Sequence, residues 1–220
     1  MEEVNKGVSL MKEGKLEEAA EFFTKIVEEN PEDPIGYINF GNLLLHMNDL
    51  ERAERFYKKA IELDSNAGTA FYGIGNLYFE QSNYKDAQVN YQKAIDLGLD
   101  EGDVYFMLGM AFQHQDHQKL ALPYLQRAVE LVPEDEAILF QYGLSLAQTD
   151  QIEIAQEVFQ KVLTLDSKHS DALYNLGVTY LFKEHVKEAL EYFNKALEIE
   201  PNHTLALNGK KLVEEMNNEH

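Results

Sequence analysis

Glycine recurs at positions 7, 41, 75, 109, 143 and 177, and alanine at 19, 53, 87, 121, 155 and 189. Both ladders step by 34 residues and keep one register through the chain. Two such ladders arise by chance on the order of one time in 10⁸. A period of this size means stacked supersecondary units, each too small to bury its apolar face alone, so that neighbours build one continuous core.

One unit, residues 68–101, shows what is repeated. Phe71, Ile74, Gly75 and Tyr78 fall at helical spacing. A polar break, Gln81-Ser82-Asn83, follows. Tyr84, Ala87, Tyr91, Ala94 and Ile95 then return to helical spacing. Each unit is therefore helix, tight turn, helix. A mid-helix glycine costs about 1 kcal/mol relative to alanine, so Gly75 implies a compensating close approach between helices. The turns carry Gly14, Asn48, Ser82, Asp116 and Asp150, all turn formers, and Glu184, which is not. Pro123 falls inside the second helix of the fourth unit, where a late helix start or a small kink is expected.

Composition sets the outer limits. Lys plus Arg total 19 against 39 Asp plus Glu, a formal net charge of −20. Phosphate backbones and anionic lipid need clustered cations, so nucleic acid and membrane surfaces are not expected partners. The chain contains no Cys, which removes disulfides, thiolate zinc sites and a Cys nucleophile. Met1-Glu2-Glu3 begins no secretory signal, and no stretch reaches the roughly 20 apolar residues of a membrane span. The expected location is cytoplasmic.

The repeated residues resemble the tetratricopeptide repeat (TPR) family. In residues 170–203 the matching pattern is Leu176-Gly177, Tyr180, Ala189, Phe193, Ala196 and Pro201. Six units follow, at 1–33, 34–67, 68–101, 102–135, 136–169 and 170–203, with a C-terminal capping helix and tail at 204–220. Residues 31–40 and 120–129 also look like a free-standing six-repeat TPR protein of Gram-positive bacteria. The resemblance implies an all-α, right-handed superhelical α-solenoid forming one structural domain. It also implies a non-catalytic protein-protein interaction scaffold.

A stack must close both ends with polar surface. Glu3 and Lys6 stand where later units carry Tyr37 and Phe40. At the other end Lys210 and Lys211 replace Leu-Gly, while Leu205, Leu207 and Leu212 are expected to cover the sixth repeat. On this reading the chain is a complete stack.

In the family, ligand peptides lie along the first helix of each pair. The period then assigns the inward positions. The expected groove is Ile38, Asn42, Tyr72, Asn76, Phe79, Phe106, Met110, His114, Phe140, Leu144, Tyr174, Val178 and Phe182. Its aromatic members either pack between repeats or present binding surface, and the period leaves both readings open. Asn42 and Asn76 offer a carboxamide donor and acceptor to a peptide backbone. Met110, Leu144 and Val178 stand where the family often has Asn. With Phe182 they suggest an apolar stripe that no structural need explains. The cations of a terminal-carboxylate clamp are missing, so none is expected. Self-association through the same face or the last helix is the alternative.

No catalytic constellation emerges. His114 and His117 are one helical turn apart, the spacing of half a metal site, but they fall at a turn with no further ligand dictated nearby. There is no Gly-x-Ser-x-Gly elbow and no Gly-rich phosphate loop. The expectation is a protein with no enzyme activity, no cofactor and no metal, and with a protein or peptide as partner.

Overall fold

The computed structural model describes the backbone of residues 2–218 and the side chains of residues 6–216. The described residues form thirteen α-helices and no strand. They divide into two compact units, Met1–Gln115 and Asp116–His220. The first holds α1 (Glu2–Lys12), α2 (Leu16–Glu29), α3 (Pro34–His46), α4 (Leu50–Leu63), α5 (Gly68–Glu80), α6 (Tyr84–Asp96) and α7 (Gly102–Gln113). The second holds α8 (Gln118–Leu131), α9 (Glu136–Gln148), α10 (Ile152–Leu165), α11 (Ser170–Phe182), α12 (Val186–Ile199) and α13 (Thr204–Asn218). From α3 onward the first helices begin at 34, 68, 102, 136, 170 and 204, and the second helices begin at 16, 50, 84, 118, 152 and 186. The period read in residues is thus the period of the helices.

The six turn residues share one backbone state. Gly14, Asn48, Ser82, Asp116, Asp150 and Glu184 all have positive φ, between 57° and 74°. Asn, Asp and Ser tolerate this left-handed state through short polar side chains, and Gly has no Cβ to strain. Glu184 adopts it without either advantage.

The mid-helix glycines seat aromatic rings. Tyr57, Tyr91, Phe159 and Phe193 are completely buried. A Cβ on Gly75 would stand 2.5 Å from the Tyr91 ring, and one on Gly177 2.5 Å from the Phe193 ring. The close approach predicted from Gly75 is therefore ring on backbone, with Tyr91 supplied by the second helix of the same repeat. Gly73 receives the far side of Tyr57, and Gly209 receives Phe193. One ring thereby ties its own first helix to the first helix of the next repeat. Buried Ala19, Ala53, Ala87, Ala121, Ala155 and Ala189 complete the register.

Five helix starts carry a side-chain cap among the described residues. Asp33, Asp49 and Asp135 accept from the backbone N–H of Ile35, Arg52 and Ile138. His169 and His203 do the same through Nδ1, accepting from Ala172 and Ala206. Each ring also meets an acidic side chain through Nε2: Asp171 at 3.0 Å for His203, Glu136 at 3.5 Å for His169.

Two sequence expectations need correction. The helix containing Pro123 does not start late; α8 begins at Gln118, in register with the other second helices. Pro123 is exposed, so the Lys119 carbonyl that loses its helical donor lies on a solvent-facing side. The last helix also docks by other residues than expected. Ala206 and Val213 are fully buried and Gly209 seats Phe193, whereas Leu205, Leu207 and Leu212 remain 46–53% exposed. A first helix meets the preceding repeat through its third, sixth and tenth positions. Those are Ala206, Gly209 and Val213, while the leucines fall on other sides. Lys6 is exposed and stands 5.3 Å over the Phe22 ring, consistent with a polar first edge; the side chain of Glu3 lies outside the described residues.

Candidate functional site

In the first unit, α3, α5 and α7 border a cavity of about 670 Å³, within the range of about 300–1,000 Å³ typical of ligand pockets. Asn42, Leu45 and His46 come from α3, and Thr69, Tyr72, Asn76 and Glu80 from α5. Asp103, Val104 and Met107 come from α7, and Asn48, Leu99 and Glu101 from the connecting turns. The elements supply these residues because a first helix has two usable flanks. Its inward stripe faces the cleft from one side, and the second, third and sixth positions of a following first helix face it from the other.

Two hydrogen bonds organise the floor. The Tyr57 hydroxyl donates to Asn42 Oδ1 at 2.8 Å, and the Tyr91 hydroxyl donates to Asn76 Oδ1 at 2.8 Å. Burial pushes the pKa of Tyr57 and Tyr91 far up, and a smaller push comes from the neighbouring Tyr72. Tyr72 is raised too, first by burial and then, more weakly, by the charges of Asp103 and Glu101. Glu80 adds to the shift of Tyr91.

These bonds revise the sequence reading of the Asn positions. One of the two acceptor sites of each carboxamide oxygen is already taken by a buried tyrosine. The two residues stand 15 apart, and the same spacing elsewhere pairs Val8 with Phe23, Met110 with Leu125, Leu144 with Phe159 and Val178 with Phe193. Where the residue 15 positions on is Tyr the partner is Asn; where it is Phe or Leu the partner is apolar. Leu144 indeed packs against the buried cluster of Leu146, Ala155, Phe159 and Leu176. Leu144 thus has a structural cause that a reading of single positions misses. Comparing residues 15 apart within each repeat supplies the signal.

The remaining expected groove residues are dispersed in environment. Ile38 is a correction: it is only 8% exposed and packs in the core with Ala60 and Ala70, because its side of α3 abuts α4 and α5. Phe79 meets His114 edge-on at 5.3 Å, and His114 stacks flat on Tyr84 at 4.4 Å. Phe106 and Met110 are half-buried. In the second unit Phe140 packs on Phe159 and His169, and Tyr174 on Phe193 and His203. Both rings pack within their own repeats, 136–169 and 170–203. Val178 and Phe182 do face solvent, at 38% and 65% exposure. Of the expected set, the cleft gathers Asn42, Tyr72 and Asn76. Thr69, Leu99, Glu101, Asp103, Val104 and Met107 were not expected, because only one flank of each helix was considered.

Family models described as tetratricopeptide repeat match residues 10–74, 72–136, 137–169 and 170–203. The chain belongs to the tetratricopeptide repeat family. A solved structure of YrrB, a TPR protein with an unusual peptide-binding site, is 50% identical with a TM-score of 0.82. The match covers 87% of this chain and 99% of that one. The TPR repeat-containing protein YrrB of Bacillus subtilis (strain 168) is 68% identical over 34 residues, a stretch spanning 16% of each chain. A crystal structure of MamA is 27% identical over 74% of this chain and 95% of its own, with a TM-score of 0.68. Among the described residues no helix is long and apolar enough to cross a membrane.

Proposed function

We propose that this TPR protein is a non-catalytic scaffold that binds an extended or helical segment of a partner protein along its first helices. The observation that carries the proposal is the cleft between α3, α5 and α7, an open concavity with convergent polar groups. The peptide-binding site ascribed to YrrB, half identical to this chain, supports the same reading. The second unit offers a different chemistry, the exposed Val178 and Phe182, suited to burying an apolar anchor. Asn42 and Asn76 contact the peptide through their amide N–H groups and the remaining acceptor site of each Oδ1, the other serving a tyrosine. A cytoplasmic location fits this reading.

Plugging the cleft tests it. Thr69 is exposed on the cleft wall. Thr69→Trp is expected to remove partners captured from native lysate by the wild-type chain, while Lys85→Trp, on exposed surface of α6, retains them. Identical partner sets for both variants would exclude the cleft. Self-association is a second reading, favoured by the four apolar side chains exposed on α13: Leu205, Leu207, Leu212 and Met216.

A further inference from the structure

The cleft of the first unit is asymmetric in charge. Glu80, Glu101 and Asp103 line it, and no Lys or Arg does; His46 is its one basic group among the described residues. None of the three carboxylates has been taken up by local structure. Glu101 occupies the N-cap position of α7 but its side chain accepts no capping bond. Glu80 is the last residue of α5, an end where a helix dipole gives a carboxylate no support. All three are exposed. They nevertheless converge on one place, since all three line the same cavity. Tyr72 and Asn76 line that cavity too and form its polar floor. Three carboxylates over a floor of hydrogen-bonding groups, inside a cavity of about 670 Å³, complement a cation on an apolar stem. Leu45, Val104 and Met107 supply the apolar wall such a stem needs.

We propose that this cleft reads a basic residue, Lys or Arg, of the partner segment, with Glu80, Glu101 and Asp103 as the specificity-determining groups. The inference rests on the scaffold reading and names its partner's chemistry. Neutral and acidic segments are disfavoured because they leave the three charges uncompensated.

The test uses the full chain, isotopically labelled for amide NMR, and two fluorescent ten-residue probes, one alternating Lys and Ala and one alternating Gln and Ala. The Lys probe is expected to shift amides of α3, α5 and α7 and to bind at least tenfold more tightly than the Gln probe. The triple variant Glu80→Gln, Glu101→Gln, Asp103→Asn is expected to abolish that preference. A charge-matched control, Glu51→Gln, Glu62→Gln, Glu191→Gln, is expected to keep it, which separates the cleft from the attraction of a chain of net charge −20. Equal losses in both variants, or Lys-probe shifts spread over the second helices, would overturn the proposal. If the Gln probe shifts the cleft amides as strongly as the Lys probe, the cation preference falls while the scaffold reading stands. If neither probe shifts the cleft, the proposal also falls, and the Thr69→Trp capture then decides the scaffold reading independently.

Discussion

The left-handed turn residue is where a single side chain has most leverage. Glu184 has φ of 62° and Gly14 has φ of 74° with open space around its Cβ position. The cost of a Cβ there is therefore purely conformational, about 1 kcal/mol. Glu184→Gly is expected to raise stability by about that amount, and Gly14→Ala to lower it similarly, both read from urea unfolding midpoints. Gly75→Ala fails for another reason, contact with the buried Tyr91 ring, and is expected to cost about 1–3 kcal/mol. The turn state was legible because five of its six residues are turn formers. The identity of the ring each glycine receives was not, because it comes from a residue 16 positions away on another helix.

At the scale of the element, the Tyr–Asn pair joins two helices of one repeat. Tyr57→Phe leaves the Asn42 carboxamide without its donor, and Asn42→Leu leaves the buried hydroxyl without its acceptor; each is expected to cost about 1 kcal/mol. The double variant recreates the pairing of Leu144 with Phe159 and is expected to recover much of the loss, a coupling that a double-mutant cycle of unfolding free energies measures. The same hydroxyls make the helices sensitive to alkali. A buried tyrosine whose folded pKa is raised stays protonated after the unfolded chain, with a tyrosine pKa near 10, has begun to ionise. Its contribution is complete below about pH 10 and is lost as pH climbs toward the folded value. Unfolding free energy is expected to fall between pH 9 and 11, less steeply in Tyr57→Phe/Tyr91→Phe. Proton-linked loss of equal slope in that variant would falsify the assignment. On α13, Val213→Asp is expected to destabilise by more than about 3 kcal/mol, and Leu212→Asp by less than about 0.5 kcal/mol.

At the scale of the whole molecule, the charge of −20 is spread over the repeats, and the cleft gathers three carboxylates around polar groups that face a cavity. The exposed apolar residues of α13 give the molecule one further testable property. Sedimentation across a concentration series distinguishes the two uses of that helix. A species heavier than the 25.3 kDa chain that reverts on Leu212→Asp supports self-association; a concentration-independent monomer removes it.

The amino-acid sequence by itself determined the repeat length, the helix-turn-helix unit, the turn positions and the family, because each depends on spacing along one chain. It also carried the Asn–Tyr and Leu–Phe pairings, though only a comparison of residues 15 apart brings them out. The tertiary structure alone decided which side of each first helix is buried. That placed Ile38 in the core, left the leucines of α13 in solvent, and brought Glu80, Glu101 and Asp103 from two helices and a connecting turn to one cleft. Such groupings depend on how three successive first helices pack side by side, a distance in space that helical periodicity does not encode.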